Sequence, residues 1–585
     1  MPTTTAEEPL KLSSKAFWLL FGVFVLLWAY LFVRSYTVFF VHDEIVTFWM
    51  YVVHWNPIPS HGFIDANNHF LLSLIAGGFT RLFQSESIFV VRLGSVLAFP
   101  IYFWSTFRLK ILFQEKWNFI SFLLLLVTTP FLIDFFGLAR GYGLALAFLL
   151  FSLQQVVFHF RFGSKWTLFG ACLGWLLAVY ASLTLLPFAL LGVGLLVLFV
   201  LKNRSYLGLI PLVVATIVLG YFADYSFLLK ELGKLYYGGT EGFFQNTIHT
   251  LTFYLWQVKG VWLDVVLVAM SGFILFVTVR AYLKSKSLFQ SELLIPLFFL
   301  LSVVSILLQH WVLGVNYPED RAASYLVVFF FGALMLCIDQ FTRKKYFGLG
   351  ITAFSAVLFL ATMNFTHSVN FEHEHLNEKL VRLIPDEVKG IPPTTSGYWN
   401  MENELTRRLD LPLRVYQRND QPFDTLADYM VYYPKPTLLK TYEVVRKDEV
   451  SDLALLKRKH LLNRTKVDEL SVELLSGAEF QTVYSDELSE STIIRCKGEI
   501  GRLTLEHEVF LVFVSEDTIS KQQFTYEAVP FVRNKKIGKE GKMKFDFSYV
   551  LNARPDANAC TVYIWNQRLD ALEGKLELEM YHLSE

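Results

Sequence analysis

Apolar runs of about 20 residues, broken by short polar or basic stretches, recur from residue 17 to residue 365. Such a run is long enough to cross a hydrocarbon core of about 30 Å as a helix. The pattern predicts eleven crossing helices, at 17–36, 87–107, 117–137, 142–160, 166–182, 184–201, 206–224, 260–280, 291–310, 322–341 and 345–364. Residues 70–83 are also apolar, but as a helix they rise only about 21 Å. They are predicted to lie at the interface or to re-enter without crossing. The competing reading, a short tilted span, would invert everything after it. Beyond residue 370 the apolar runs stop and shorter patterns take over. Helical periodicity is predicted near 371–385 and 399–409. From about 424 the alternating and β-rich segments ADYMVYY, TVYIWN and KLELEMYHL predict strands, ending in a β-sandwich-like part.

Charge tests this division. Lys11 and Lys15 precede the first run, which no cleavage site follows, so residues 1–16 are read as a cytoplasmic tail whose start, MPTTTAEEP, is disordered. Basic residues then gather in five loops: Arg108, Lys110 and Lys116; Arg161 and Lys165; Lys202 and Arg204; Arg280, Lys284 and Lys286; Arg343, Lys344 and Lys345. With eleven spans all five fall on the cytoplasmic side, as the positive-inside rule requires. The expected architecture is therefore a multi-pass α-helical membrane domain over 17–365, with outer loops at 37–86 and 225–259. An extracytoplasmic α+β domain follows over 371–585.

Composition agrees. The 585 residues are 54% hydrophobic and 16% aromatic but only 18% charged, against about 25% in soluble domains. Lys plus Arg equals Asp plus Glu at 52 each, and no basic excess points to nucleic acid. Four cysteines without a CxxC pair exclude the usual cysteine-ligated zinc and iron–sulfur sites. Cys172 and Cys337 fall in predicted spans; Cys496 and Cys560 fall in the outer domain, where an oxidising compartment would let them bond.

Ionisable groups in or beside a membrane are costly and are functional candidates by default. The first outer loop holds His42, Asp43 and Glu44, then His54, His61, Asp65, Asn67, Asn68 and His69. Adjacent carboxylates point different ways on a helix or strand, so only one of Asp43 and Glu44 is expected to serve as a general base. Solvation of a helix end is the plain alternative. Arg92, Arg140 and Arg321 lie at the predicted outer side and suit a phosphate, which a guanidinium binds bidentately. Snorkelling to headgroups is the alternative for Arg140 and Arg321; Arg92, tightly flanked by apolar residues, does not fit it. A divalent metal is a further candidate through His42 and His69, although no His pair has helical i, i+4 spacing. The glycines of GGTEGFFQN at 238–246 suggest either a mobile cover or an ordinary connector. His373-Glu374-His375 reads as a solvated helix start, and Trp565 as a sandwich-core side chain rather than a sugar-stacking one.

Over residues 17–365 the sequence resembles the GT-C superfamily of multi-pass glycosyltransferases that use polyprenyl-phosphate-linked sugars. Its ArnT-like and protein-mannosyltransferase-like branches are nearest in pattern. The resemblance rests on Asp43-Glu44 in the first outer loop and on Asn67-Asn68-His69-Phe70-Leu71 in place of a P-P-L stretch. It rests also on Arg92 in VVRLGSVLAF, on Arg140-Gly141-Tyr142 and on Arg321 before a late span. The two prolines of the P-P-L stretch are absent, no aspartate follows Arg140 closely (Asp134 is upstream), and the C-terminal domain shares none of the motifs.

The resemblance implies transfer of a sugar from a polyprenyl-phosphate donor to a lipid, glycan or protein acceptor on the non-cytoplasmic face, with inversion. Asp43 or Glu44 would be the base. Arg92, Arg140, Tyr142 and Arg321 would bind the donor phosphate, and Asn68 and His69 the substrate. The implied setting is a bacterial inner membrane with a periplasmic C-terminal domain. A transporter or flippase of lipid-linked glycans would need charges along a path through the bilayer, whereas the notable charges here gather at one face. A non-catalytic scaffold with an outer binding domain would tolerate replacement of Asp43 and Arg92.

Overall fold

The computed structural model describes residues 10–584 apart from 257, 259, 342–344, 398–399, 419–424, 502, 505–506, 521, 535–540 and 555–556. The predicted tail MPTTTAEEP and the basic residues Arg343 and Lys344 lie outside the described residues. The chain forms two compact units. One comprises Met1–Phe39 and Met50–Asn370; the other comprises Phe40–Trp49 and Phe371–Glu585.

The first unit is a helical membrane domain. Helix α1 is Ser14–Thr37, while α2, His42–Thr47, belongs to the second unit. Then come α3 (Phe70–Phe83), α4 (Ile88–Arg108), α5 (Lys116–Thr128), α6 (Pro130–Ile133) and α7 (Tyr142–Phe162). They are followed by α8 (Lys165–Ala181), α9 (Leu186–Lys202), α10 (Leu209–Glu231) and α11 (His249–Trp256). The last four are α12 (Val261–Ser285), α13 (Leu294–Leu313), α14 (Ser324–Phe341) and α15 (Lys345–Thr362).

Every predicted span is helical, but eight helical segments among the described residues are long and apolar enough to cross a membrane by themselves. The number is nine if the bent pair α5–α6 counts as one span. The other two predicted spans fall short in length: α8 has 17 residues, about 25 Å of rise, and the apolar stretch of α15 runs Gly348–Thr362. The 14-residue α3 is a short apolar helix, as the pattern predicted.

The 56° bend between Lys116–Thr128 and Pro130–Gly137 has a local cause. Pro130 has no N–H to donate, and it pushes Thr129 to an extended ψ of 115°. Just past the bend Asp134 is buried. It accepts from the Arg34 guanidinium of α1, from Ser368 Oγ at 2.5 Å and from the Asn370 N–H at 3.2 Å. Arg34 also donates to the Tyr30 hydroxyl at 2.7 Å and the His367 carbonyl at 2.9 Å. A buried charge is tolerated when paired and hydrogen-bonded, and this pair ties α1, the broken span and the segment 367–370 after α15 together.

The second unit is α+β. Its helix α16 is Glu378–Arg382 and α17 is Asn400–Arg408. Strands begin earlier than the pattern predicted: β1 (Thr395–Gly397) and β2 (Tyr416–Arg418) join β3 (Tyr429–Tyr432), β4 (Tyr442–Lys447) and β5 (Ala454–Arg458). They form a mixed sheet of order β2-β1-β3-β5-β4. Two antiparallel sheets follow. One has the order β10-β9-β12-β7 and contains β7 (Phe480–Glu487), β9 (Val509–Glu516), β10 (Gln523–Pro530) and β12 (Ala559–Asn566). The other has the order β11-β8-β13-β6 and contains β6 (Asn463–Glu473), β8 (Thr492–Gly501), β11 (Met543–Leu551) and β13 (Glu573–Ser584).

Phe513 of β9 stacks on Tyr549 of β11 at 4.0 Å, joining the two sheets as a sandwich. Along β12 buried and half-buried residues alternate, with Val562 and Ile564 inward. Trp565 falls on the opposite face, against Phe480 and Phe510, so it is not the core tryptophan that its sequence suggested. Cys496 and Cys560 are buried free thiols on different sheets and form no disulfide. Burial holds Cys496 well above the ordinary thiol range and pushes Cys560 up to about 11.

Candidate functional site

In the first unit the site is built around Arg140-Gly141-Tyr142, where the chain turns from the broken span into α7. Arg140 is buried; its Nη2 donates to the Asn67 side-chain oxygen, and its guanidinium lies 5.7 Å from the centre of the Tyr142 ring. His69 holds the Ala181 carbonyl at 2.8 Å and meets the Tyr142 ring edge-on at 4.8 Å. Asn68 donates to the Asn56 carbonyl at 3.1 Å and accepts from Ser73 at 2.9 Å, which gives it a scaffold role inside the loop. Asp65 accepts from the Asn67 N–H at 2.8 Å and lies 3.9 Å from the Lys234 ammonium. The structure thus brings Arg140, Tyr142, His69 and the Asp65–Asn68 loop into one polar cluster.

Arg321 comes from the turn Asp320–Ala323 that opens α14. Its guanidinium lies 4.5 Å from the centre of the Tyr237 ring, and Tyr237 donates to both oxygens of Asp320 at 2.7 Å. Desolvation raises the Tyr237 hydroxyl above the ordinary phenol range, although the residue as a whole is 40% exposed; Arg321 opposes this and Asp320 adds to it. Tyr237 and Arg321 thus form a second Arg–Tyr pair in this unit. The segment 238–246 is not a loose cover here. Gly239 pairs with Tyr317 through backbone hydrogen bonds, Thr247 donates to the Pro318 carbonyl at 2.7 Å, and Asn246 donates to Glu319 at 2.5 Å.

From this region an apolar cavity of about 230 Å³ runs between α11, α12, α13 and α14, walled by Leu251, Leu255, Leu267, Phe299, Leu326 and Phe330 among others. Leu326 is five residues beyond Arg321, about 7.5 Å along a helix. The cavity wall thus begins on the helix that the Arg321 turn opens.

Arg92, expected from sequence at the donor phosphate, meets backbone carbonyls. It is fully buried, and its Nη1 donates to the Val38 carbonyl at 2.6 Å while Nη2 donates to the Phe39 carbonyl at 3.0 Å. These carbonyls close α1, where a helix leaves its last acceptors unsatisfied and carries partial negative charge. Arg92 is a C-cap supplied from α4. Sequence showed a buried arginine but not which carbonyls it would meet.

Asp43 and Glu44 lie in the first turn of α2, in the second unit. Glu44 is fully buried and accepts the Val41 N–H at 3.1 Å, capping its own helix. Asp43 is half-buried. The His42 N–H donates to Glu374 at 2.7 Å. This segment is anchored by α17. Trp49 Nε1 donates to Glu404 at 3.1 Å, Glu404 binds Arg407 and Arg408 at 2.9 and 2.6 Å, and Arg408 lies 4.6 Å from the Phe40 ring centre. Sequence reasoning missed this anchor, although Glu404, Arg407 and Arg408 at i, i+3 and i+4 were a readable helical ion cluster.

His375 pairs with buried Asp448 at 2.8 Å and so is structural rather than solvated. Among the described residues no group of three or more His, Cys, Asp or Glu is gathered to hold a metal ion, and His42 and His69 belong to different units.

No protein-family model matches the chain, and no curated protein matches its sequence. Among solved structures, it is similar to arabinosyltransferase EmbB from Mycobacterium smegmatis at 10% identity and a TM-score of 0.39, over 98% of this chain. The chain spans 65% of that protein's length. It is also similar to ArnT from Cupriavidus metallidurans, bound to undecaprenyl phosphate (11% identity, TM-score 0.42) and in the apo state (13% identity, TM-score 0.42). Each comparison covers 76% of this chain and 98% of that one. With TM-scores below 0.5 these likenesses carry no weight for function, which this chain's own residues have to supply.

Proposed function

We propose that this is an integral membrane glycosyltransferase of GT-C type. It transfers a sugar from a polyprenyl-phosphate donor to a lipid, glycan or protein acceptor on the non-cytoplasmic face. The observation that carries the reading is an arginine, Arg321, in the turn that opens α14, the helix that walls an apolar cavity. Leu326, Val327 and Phe330 of α14, five to nine residues after Arg321, help wall a cavity lined almost wholly by carbon, and Arg140 is a second buried cation of the same unit. An anionic head on a long apolar tail fits that combination; a free sugar nucleotide would have no use for the cavity.

Asp43 takes the proton from an acceptor hydroxyl, whose oxygen attacks the anomeric carbon. The bond to the phosphate oxygen breaks, and the electron pair leaves with polyprenyl phosphate. Arg321 and Arg140 stabilise the charge that develops on it. One displacement inverts the anomeric centre. Glu44 is the weaker candidate for the base because its carboxylate already caps α2. The basic loops support a cytoplasmic N-terminus, and with it a periplasmic C-terminal unit in a bacterial inner membrane.

The test is transfer of labelled sugar from total polyprenyl-phosphate donors by purified protein in lipid. Wild type should transfer, whereas Asp43→Asn and Arg321→Gln should each lose on the order of 10²-fold or more. Transfer unchanged in Asp43→Asn would remove the base from this position. No transfer by wild type across donors and acceptors would favour a carrier of lipid-linked glycans.

A further inference from the structure

The side-chain hydroxyl of Tyr51 is used neither by the proposed chemistry nor by the fold's hydrogen bonding. Tyr51 stands in the helical segment Phe48–Val53 within the first outer loop, fully buried, with its ring 6.3 Å from that of Phe63. Among the described residues its hydroxyl has no hydrogen-bond partner. Burying a hydroxyl without a partner is unfavourable, and phenylalanine would fill the same space without that cost. The hydroxyl sits within electrostatic reach of Asp65, Arg140, Tyr225 and Tyr236, and burial keeps it protonated and able to donate. Asp65 is itself only 8% exposed.

The chemistry of these neighbours selects a ligand class. A phosphate alone would be repelled by Asp65, and a simple cation by Arg140 and by Lys234, 3.9 Å from Asp65. A neutral ring bearing several hydroxyls suits the mixture, because each hydroxyl both donates and accepts. Arg140 also joins this cluster to the region proposed for the donor phosphate.

We infer that Tyr51 and Asp65 form a subsite for the hydroxyls of a sugar ring, Tyr51 donating to one sugar oxygen and Asp65 accepting from a neighbouring hydroxyl. The inference rests on the glycosyltransferase reading for the source of the ring, which is the transferred sugar of the donor or the first residue of an acceptor glycan.

Equilibrium binding to the full chain in lipid separates these sources. The probes are undecaprenyl phosphate bearing mannose, glucose or arabinose, each against bare undecaprenyl phosphate, and free oligosaccharides of the same sugars. Wild type should bind one sugar-bearing lipid, or one oligosaccharide, more tightly than its control. Tyr51→Phe should lose about tenfold of that gain while binding bare lipid as wild type does. Loss in the lipid arm assigns the ring to the donor, and loss in the oligosaccharide arm assigns it to the acceptor.

Asp65→Asn, checked for an unchanged melting temperature, should act in the same arm. Binding by Tyr51→Phe that equals wild type in both arms overturns the subsite. So does equal weakening for bare and sugar-bearing lipid, or a wild type that gains nothing from any sugar. Sugar-dependent binding without transfer would sink the transferase reading and leave the subsite standing.

Discussion

A Cβ on Gly141 would collide with the Ala181 carbonyl oxygen and lie 2.5 Å from Nδ1 of His69. Neither neighbour can yield without breaking their mutual hydrogen bond. Gly141→Ala is expected to displace His69, Arg140 and Tyr142 together. A misplacement of about 1 Å can cost on the order of 10²-fold in rate, so transfer should fall by about that factor while the protein still folds, read by steady-state kinetics beside a melting curve. Glu44→Gln gives the contrast with Asp43→Asn. The glutamine carbonyl can still accept the Val41 N–H, so α2 stays capped, and transfer should stay within a few-fold of wild type. A loss as deep as that of Asp43→Asn would move the base to Glu44. The pair itself was legible in the sequence. Which member is left for chemistry was not, because that depends on burial and on one backbone N–H. Arg92 shows the same limit: its apolar flanks marked it as held inside the protein, but the carbonyls of α1 that it caps are 53 to 57 positions away in the chain.

At the scale of elements, the segment carrying Asp43 depends on α17. Glu404 is buried, and burial alone would raise its pKa; Arg407 and Arg408 outweigh that and hold it below the ordinary carboxylate value. Its folded pKa is thus depressed, so its contribution is present above the unfolded value near 4.3 and is lost as pH falls through the folded one. Glu404→Gln leaves buried Arg407 and half-buried Arg408 without their carboxylate, a change that typically costs ~3–5 kcal/mol for a buried pair. We expect faster amide exchange over Phe40–Trp49 and a loss of transfer, although Glu404 is assigned no chemical step. Unchanged exchange there would remove the anchor. Asp448 follows the same sign: burial opposes, but His375 and the N–H groups of Val450 and Ser451 bring it down to about 2. Its share of stability should vanish between pH about 4 and about 2, and Asp448→Asn should flatten an acid melt monitored over that window. Helices were the more legible elements because a 20-residue apolar run has few alternatives. The face of a strand was not legible for Trp565, since a one-residue change of register swaps inside for outside.

For the whole molecule, the arrangement across the membrane follows from counting crossings. Short helices decide the count: α3 must stay on one side, while α8, the bent α5–α6 pair and α15 must each cross. Of these, α8 and α15 fall below the usual length, and local bilayer thinning or flanking lysines can cover the deficit at modest cost. The loop lysines and arginines discriminate strongly, since all five basic loops follow α3 in the chain and moving it across the bilayer would place every one of them outside. All four native cysteines are buried, so the protein offers a low background for cysteine labelling. Lys202, Glu241, Lys284 and Ser476 are exposed and can be replaced singly by cysteine. In intact cells a membrane-impermeant maleimide should label Glu241→Cys and Ser476→Cys, while Lys202→Cys and Lys284→Cys should react only after lysis. The inverse pattern, with Lys202→Cys and Lys284→Cys labelled first, would mean that α3 crosses. Asp43, which precedes α3, would then lie on the opposite side from Arg140 and Arg321, which follow it. A base and a phosphate site separated by the bilayer could not serve one displacement, so this labelling result would overturn the proposed chemistry as well as the topology.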